Sequence, residues 1–380
     1  MTKVFLPGAN IGVMGGGQLG RMFAVAARRM GYRVTVFSPE PAGPAAQFAD
    51  SSFEADYSDE AQVREFVRHV DLVTFEFENI PDTTAAWCAE HVPVRPGGYV
   101  LHTAQHRLRE KTFLRDNGFP LPAFRPVNSA ADLKNALQQM GRDAILKTAA
   151  WGYDGKGQQA VTSAPAEQLW EQRSADELIL EQKIEFEKEI SVIVARSPDE
   201  KVEVLPVAEN VHVRHILDVT LVPARISRRV AKQAVELACA VAEKLDLVGL
   251  LAVEMFVNQN GEVLVNELAP RPHNSGHWSI EGCLTSQFEQ HVRAVCGLEL
   301  GATDLLQPSA MANLLGDIWQ AGEPDWASAL KVPGVHLHLY GKRDPRPRRK
   351  MGHLTAVAPR LEVAESRVRA AREHLCRPRS

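Results

Sequence analysis

The sequence contains few cysteines and no long apolar run, and both absences narrow the classes of protein it can belong to. Its five cysteines are an odd number at wide spacings and include no Cys-x-x-Cys pair. This argues against a disulfide framework or a structural zinc site and favours a reducing compartment. No stretch approaches the ~20 apolar residues that cross a bilayer, and the first residues lack the apolar segment of a secretion signal. We therefore expect a cytoplasmic protein without a membrane partner.

A strong net charge and low-complexity segments are also absent. The formal net charge is −4, which does not suggest bulk nucleic-acid binding but leaves room for local basic pockets. Hydrophobic residues make up 45% of the chain and charged residues 24%, as in ordinary globular proteins. At roughly 100–200 residues per domain, the 380 residues predict two or three domains.

Strand and helix signals alternate along the first part of the chain. Short runs rich in β-branched residues at 11–14, 33–37 and 72–75 are separated by helical patterns, one of them at 59–69. This order is typical of a doubly wound parallel sheet. A proline-rich linker around 120–126 then precedes a second region that extends to about residue 195, where a third region begins.

A glycine-rich loop at 15–20 follows the first predicted strand and precedes a helix. Gly15, Gly17 and Gly20 match the dinucleotide-binding fingerprint, in which glycines let the backbone approach a phosphate at a helix N-terminus. An NAD site also needs an acidic residue at the end of the second strand, but that strand ends in Ser38 and Pro39. We therefore favour phosphate binding over NAD, and a tight turn without a ligand is the alternative.

An acidic hairpin is the most informative feature. Asn260-Gly261 between two apolar runs predicts a two-residue turn, which places Glu254 directly opposite Glu267. With a longer loop that shifts the register by two, the two acids would be diagonal neighbours on the same sheet face. Facing carboxylates repel, so a divalent cation such as Mg²⁺ is expected to compensate, with Asn266 as a further oxygen donor. The alternative is a pair of exposed acids on a solvated sheet edge.

A lysine and a second glycine loop indicate a nucleotide site. Lys147 ends an apolar strand, where it is either a phosphate ligand or a surface residue with a buried stem. The loop at 152–158 contains three glycines and a lysine and can fold over a triphosphate, although it is not a Walker A motif. Residues 181–184 leave a strand and can present backbone groups to an adenine edge.

Taken together, these residues resemble the ATP-grasp superfamily and, within it, the 5-(carboxyamino)imidazole ribonucleotide synthase family of de novo purine biosynthesis. Five segments carry the resemblance: GGGQLGRM at 15–22, TFEFENIP at 74–81, GYDGKGQ at 152–158, NELAPRPHNSGH at 266–277 and HLYGK at 338–342. The resemblance implies an α/β ATP-grasp fold in three parts. These are a doubly wound N-terminal domain at 1–115, a lid domain at 116–195, and a C-terminal ATP-grasp domain with a small terminal β-rich subdomain at 196–380.

The resemblance also implies a set of site residues. The metal ligands are Glu254 and Glu267, which would hold Mg²⁺. The ATP-binding residues are Arg107, Lys147, Gly152, Tyr153, Asp154, Gly155, Lys156, Gly157, Gln158, Glu181, Gln182, Lys183, Ile184, Glu189, His212, Asn266 and Glu267. The residues for the second substrate are Gly17, Gln18, Ser38, Glu76, Tyr153, Asn274, Lys342, Arg349 and Lys350. The catalytic candidates are Asp154, Arg271, His273 and Lys342.

The activity that the resemblance implies is ATP-dependent carboxylation of 5-aminoimidazole ribonucleotide by bicarbonate through carboxyphosphate. Asp154 is the first candidate to orient or deprotonate the amine, and His273 is the second. A homodimer is the expected assembly. The alternatives are a formate-dependent glycinamide ribonucleotide enzyme, a biotin-carboxylase-like ligase, an NAD-dependent oxidoreductase and a non-enzymatic nucleotide sensor. The arginine-rich segment at 343–350 departs from the family pattern.

Overall fold

The computed structural model describes residues 3–150, 157–161, 164–171 and 177–376, and the strands of this part of the chain form three sheets. The first sheet is parallel, with the order β3-β2-β1-β4. Its strands are β1 (Asn10–Met14), β2 (Arg33–Phe37), β3 (Ser51–Phe53) and β4 (Leu72–Phe75). The helices that follow β1, β3 and β4 are α1 (Gln18–Arg29), α2 (Glu60–Val67) and α3 (Asp82–Ala89).

Helices cover both faces of this first sheet. Ile11 and Val13 of β1 belong to the apolar cluster that contains α1, whereas Met14 belongs to the cluster that contains Phe66 of α2. Successive residues of a strand point to opposite faces, so β1 is buried on both sides. The prediction of a doubly wound parallel sheet is therefore confirmed.

Two helices lead to a small antiparallel sheet. They are α4 (Gly98–Ala104) and α5 (Arg107–Asp116). The strands of the small sheet, in the order β5-β8-β6-β7, are β5 (Phe124–Val127), β6 (Ala144–Thr148), β7 (Gln158–Ala160) and β8 (Leu178–Gln182). The helices that accompany it are α6 (Ala130–Met140) and α7 (Ala166–Glu171).

The third sheet is large and antiparallel, with the order β14-β13-β9-β11-β12-β15-β17-β16 and β10 beside β9. Its strands are β9 (Phe186–Arg196), β10 (Val202–Val204), β11 (Ala208–Val213), β12 (Ile216–Val222), β13 (Gly249–Asn258), β14 (Val263–Ala269), β15 (Ser309–Leu315), β16 (Val335–Leu339) and β17 (Lys350–Val357). The helices of this region are α8 (Arg228–Lys244), α9 (Ser279–Gly282), α10 (Gln287–Cys296), α11 (Trp326–Ala329) and α12 (Leu361–Leu375).

The two faces of the large sheet differ in character near its β14 edge. Val192 of β9 and Val253 of β13 pack against α8, which presents small residues such as Ala234 and Ala238. Because side chains alternate along a strand, the neighbouring Ser191 and Glu254 point to the other face. That second face carries the polar residues of the candidate site.

Two features of this sheet were not predicted from the sequence. Strand β9 was expected to belong to the lid region at 116–195, but it pairs with β13 and β11, so the chain changes sheets between Gln182 and Phe186. No strand was predicted at Ser309–Leu315, yet β15 pairs with β12 and β17. The terminal strands consequently extend the large sheet.

No described helix is both long and apolar enough to cross a membrane.

Candidate active site

The hairpin of β13 and β14 places Glu254 opposite Glu267, as predicted, although the turn itself differs. The predicted two-residue turn is wrong. Three residues, Gln259 to Gly261, lie between Asn258 and Glu262, whose main chains are bonded at 3.1 Å, and Gly261 has a φ of +73°. The longer turn shifts the register by one residue, and an irregularity at Asn266 restores it, so the two acids still face each other. We call Glu254 and Glu267 the acid pair.

The electrostatics of the acid pair favour a bound cation. Burial and the neighbouring Glu267 carboxylate raise the pKa of Glu254 to about 7, against the opposing effect of His212. No group of three His, Cys, Asp or Glu side chains among the described residues is arranged to hold a metal ion. Mg²⁺ is commonly bound by only one or two carboxylates, with phosphate oxygens and water as its other ligands. The acid pair therefore fits a Mg²⁺ ion that arrives with a nucleotide.

Cationic side chains contact Glu267 and the nearby Glu181 on the side of α5 and the small sheet. Arg107 of α5 lies 3.2 Å from Glu267, and Lys147 of β6 donates to Glu181 of β8 at 2.8 Å. Burial would raise the pKa of Glu181, but Lys111 and Lys147 outweigh that effect and lower it to about 2. Burial lowers the pKa of Lys147. The predicted ATP-binding residues Arg107, Lys147, Glu181 and Glu267 are thus brought together.

Helix α5 contributes two further residues that the sequence analysis missed. Lys111 has no exposed side-chain surface, and its Nζ donates to the main-chain oxygen of Asn266 at 2.6 Å and lies 3.7 Å from Glu181. Glu110 accepts from the Leu268 N–H at 2.9 Å. A charged pair in a helix normally lies on the solvated face, so this burial could not be predicted from the residue types.

Glu189 and His212 form a second pair on the same face of the large sheet. Their side chains bond through Nδ1 of His212, and the two residues come from β9 and β11. Burial would lower the pKa of His212, but the Glu189 carboxylate outweighs it and raises that pKa. Both residues were predicted to contact ATP, and the structure places them beside Glu254.

The segment after β14 carries three predicted residues. Arg271 bonds the carboxylate of Glu78 through two guanidinium nitrogens, one of them at 3.1 Å. The ring of His273 lies 3.3 Å from Glu254, measured from Nε2 to Oε1. The amide group of Asn274 is buried, and neither its nitrogen nor its oxygen has a partner in the described chain. An unpaired buried amide is costly, which suits a residue that meets a ligand. Glu78 lies within a segment that carries the resemblance but was not selected.

The glycine loop at 15–20 does not offer its amides in the expected way. The N–H groups of Gly17 and Gly20 donate to the carboxylate of Glu76, the latter at 2.8 Å. A Cβ at Gly15 would lie 2.2 Å from Glu76 Cγ, so the glycines make room for this side chain. The anion at the N-terminus of α1 is therefore Glu76, and the expectation that these amides hold a phosphate is corrected. Burial raises the pKa of Glu76.

Residues from both ends of the chain meet beside Glu76. Lys342 donates to Gln18 Oε1 at 2.7 Å and to the Lys350 carbonyl at 2.7 Å. Burial and Arg349 lower the pKa of Lys342 to about 8. Arg349 lies 3.7 Å from Glu40, which follows Ser38 by two residues. The predicted residues Gln18, Glu76, Lys342 and Lys350 therefore converge, although they are distant in sequence.

The predicted lid loop is only partly described. Gly152, Tyr153, Asp154, Gly155 and Lys156 lie outside the described residues. Gly157 has a φ of +75°, and Gln158 pairs with Lys147 in the small sheet. In the predicted adenine segment, the N–H groups of Gln182 and Lys183 donate to the carbonyls of Ala123 and Asp143. Those two N–H groups are therefore used for hydrogen bonds at the small sheet, and Ile184 is the next residue in the chain.

Comparison with known proteins covers nearly the whole chain. Three family models match: a ribonucleotide synthetase preATP-grasp domain at residues 9–105, an ATP-grasp domain at 112–288 and a phosphoribosylaminoimidazole carboxylase C-terminal domain at 309–367. The N5-carboxyaminoimidazole ribonucleotide synthase of Bacillus subtilis is 44% identical over 354 residues, which is 93% of this chain and 92% of that protein.

Solved structures of similar proteins match the chain over nearly its whole length. The ADP complex of an N5-carboxyaminoimidazole ribonucleotide synthetase superposes with a TM-score of 0.94 at 42% identity, over 99% of this chain and 100% of that one. An N5-carboxyaminoimidazole synthase from Aspergillus clavatus, solved with ADP and 5-aminoimidazole ribonucleotide, gives a TM-score of 0.89 at 30% identity, over 97% of this chain and 99% of that one.

Proposed function

The chain belongs to the N5-carboxyaminoimidazole ribonucleotide synthase family of ATP-grasp ligases, and on that premise we propose that it carboxylates 5-aminoimidazole ribonucleotide with bicarbonate and ATP. The products are N5-carboxyaminoimidazole ribonucleotide, ADP and phosphate. The observation that carries the proposal is the acid pair, held face to face beside Arg107 and within a site that also contains Lys147. Such a pair is suited to a metal-bound triphosphate.

Phosphoryl transfer to bicarbonate depends mainly on positioning and charge neutralisation. A bicarbonate oxygen attacks the γ-phosphorus, the bond to the β-phosphate oxygen breaks, and ADP leaves with carboxyphosphate as the other product. Lys147 and Arg107 are positioned to neutralise phosphate charge, and Glu254 and Glu267 would hold Mg²⁺, which adds further neutralisation when bound.

Carbon transfer follows on the side of the site that contains Arg271. The amine nitrogen attacks the carboxyphosphate carbon, or the CO₂ released from it, and phosphate departs while the nitrogen loses a proton. Arg271 is held by Glu78 and can neutralise the carboxylate or the leaving phosphate. Asp154 remains our candidate to receive the proton or orient the amine. Gln18, Ser38, Glu76, Asn274 and Lys342 would contact the ribonucleotide.

Carboxyphosphate decomposes in water, so exclusion of solvent is part of the proposed mechanism. We propose that the loop at 152–158, adjacent to Lys147 in the sequence, covers the nucleotide during turnover. A homodimer in the cytoplasm is the setting we propose for this enzyme, in keeping with its five free cysteines.

The decisive experiment measures phosphate release from ATP in the presence of bicarbonate and one amine at a time. We expect release to depend on both bicarbonate and 5-aminoimidazole ribonucleotide, with the carboxylated product formed in equal amount. Release that requires formate and glycinamide ribonucleotide, or free biotin, would replace this proposal with another ATP-grasp ligase. No release with any amine would favour a nucleotide sensor.

A further inference from the structure

A row of small polar side chains crosses the large sheet beneath the candidate site, in positions where apolar residues are expected. Thr220 of β12, Asn210 of β11 and Ser191 of β9 are 0%, 5% and 1% exposed, and Ser275 after β14 is 0% exposed. Burying four such groups costs free energy unless each is hydrogen-bonded. Ser275 lies within the motif at 266–277, but none of the four residues was predicted to bind a ligand.

The hydrogen bonds of this polar row run in one direction. The Ser275 N–H, which can only donate, reaches His273 Nδ1 at 3.3 Å, so Nδ1 is an acceptor and carries no hydrogen. The Ser275 hydroxyl also lies 2.8 Å from Nδ1 and must donate to it. Having used its hydrogen, Ser275 Oγ accepts from Ser191 Oγ at 2.8 Å.

The hydrogen bonds of the polar row continue in the same direction across the sheet. Ser191 Oγ has donated its hydrogen and accepts from Asn210 Nδ2 at 3.0 Å. Asn210 Oδ1 in turn accepts from the Thr220 hydroxyl at 3.2 Å. Each side-chain donor of the row is thus used by the next bond, and the row ends in the Ser275 hydroxyl, which donates to His273 Nδ1 beside the Ser275 N–H. A neutral imidazole whose Nδ1 is bare carries its proton on Nε2, and Nε2 lies 3.3 Å from Glu254 Oε1.

We propose that Thr220, Asn210, Ser191 and Ser275 are positioning residues that fix His273 in its Nε2-protonated form. The Nε2–H of His273 then lies against Glu254, where the positive end of its dipole stabilises the carboxylate of one member of the acid pair. This replaces its predicted role as second candidate for the base, because the lone pair of Nδ1 is already used by Ser275. Only the description of Glu254 as a metal ligand rests on the proposed function.

The residues of the polar row do not contact the proposed metal position and reach the metal ligand Glu254 through His273. Side chains that contact the ligands of a metal orient those ligands, and their mutation typically weakens metal affinity or activity by about 10–100-fold. The register explains how the row reaches the site, because Ser191 is the cross-strand neighbour of Glu254 in β9 and β13. The motif that carries Ser275 lies on the same face.

The first test reads the tautomer directly in the ligand-free, full-length protein. In a neutral imidazole the protonated and bare nitrogens give well-separated ¹⁵N resonances, and His273→Gln identifies the signals of this ring. We expect a protonated Nε2 and a bare Nδ1 in the parent, and in Ser275→Ala a shift of both signals toward each other. Ser309→Ala is the matched control, because Ser309 is buried in β15 and, within the described residues, its hydroxyl bonds locally, to the Gln307 carbonyl at 2.9 Å.

The second test measures Mg²⁺ binding by calorimetry, with Mg²⁺ titrated into the protein in the presence of ADP. Ser275→Ala should weaken the apparent Mg²⁺ affinity by about 10-fold or more, and Ser309→Ala should not. If Ser275→Ala fails to fold, Ser191→Ala, one step further along the row, decides the question by both measurements. A proton on Nδ1 in the parent, or variants that match the Ser309→Ala control in both readouts, would overturn the inference.

Failure of the proposed function gives a different result. An enzyme with the expected tautomer and Mg²⁺ dependence but no carboxylation of 5-aminoimidazole ribonucleotide would refute the proposed function and leave the inference about His273 intact. Normal carboxylation by a parent with the proton on Nδ1 would do the reverse.

Discussion

Histidines that the fold keeps neutral should make this protein sensitive to mild acid, and His291 offers the clearest single test. It lies on α10 and is 1% exposed, with Nε2 at 2.9 Å from the hydroxyl of Thr74 in β4. Burial lowers the pKa of His291 to about 3. Burial also lowers the pKa values of His277 and His353 well below the ordinary value, with neighbouring histidines adding to the effect.

The sign of the effect follows from proton uptake. As pH falls below 6.5, the unfolded chain takes up a proton at His291 that the folded protein refuses, so the free energy of unfolding falls until the pH approaches about 3. At pH 5 the ring is still neutral in the folded state, and the loss is about 2 kcal/mol, from roughly 1.4 kcal/mol for each of about 1.5 pH units. His277 and His353 act in the same direction, so the parent should lose more stability than His291 alone accounts for.

His291→Gln removes the titration while keeping an amide that can bond Thr74. The free energy of unfolding should be measured in urea at pH 8 and at pH 5 for the parent and the variant. We expect the loss between the two pH values to be about 2 kcal/mol smaller in the variant, whatever its stability at pH 8. His336→Gln, which changes an exposed histidine of β16, should lose as much as the parent. If His291→Gln also loses as much as the parent, burial does not keep His291 neutral at pH 5.

Three further predictions concern function. Glu267→Gln should abolish turnover while leaving the midpoint of thermal unfolding close to that of the parent. A near-normal rate at ordinary Mg²⁺ concentration would show that Glu267 is not a metal ligand. NAD should not bind at the 15–20 loop, because Glu76 occupies its amides and Ser38 ends the second strand; a titration with micromolar affinity, competitive with the amine substrate, would reverse this. Asp154→Asn should retain ATP affinity but lose at least about a hundredfold in carboxylation rate, measured separately from ATP cleavage. If both rates stay within a few-fold of the parent, Asp154 is only a loop residue.

Local sequence signals predicted those elements of the fold whose residues prefer the structure they adopt. Strands β4, β6 and β8 occupy the expected positions because each is a short β-branched or leucine-rich run with turn residues nearby. Strand β15 was missed because Ser309–Leu315 contains alanine and asparagine, which have low strand propensity. It becomes a strand because β12 and β17 bond it from both sides, which no local pattern records.

The site was predictable where chemistry is concentrated in one segment and unpredictable where it depends on partners. Glu254 and Glu267 were found because one hairpin carries both. The link between Arg271 and Glu78 spans 193 residues, and that between Lys342 and Gln18 spans 324, so neither pair leaves a pattern in the sequence. The prediction that the acid pair faces each other was correct although the predicted turn was wrong. It held because the irregularity at Asn266 offsets the extra turn residue.

The buried charges of α5 can be understood from the position of β14 at the edge of the large sheet. An edge strand leaves main-chain groups unpaired on its outer side, and these groups need partners when the edge is covered. Lys111 donates to the Asn266 carbonyl, and Glu110 accepts from the Leu268 N–H, so the two side chains flank Glu267 along the main chain. Because Arg107 extends from the same helix to Glu267 itself, one turn of α5 fixes both the backbone and the carboxylate of this residue. Lys111 also lies 3.7 Å from Glu181 of the small sheet, which ties the edge of the large sheet to the strand expected to contact the nucleotide.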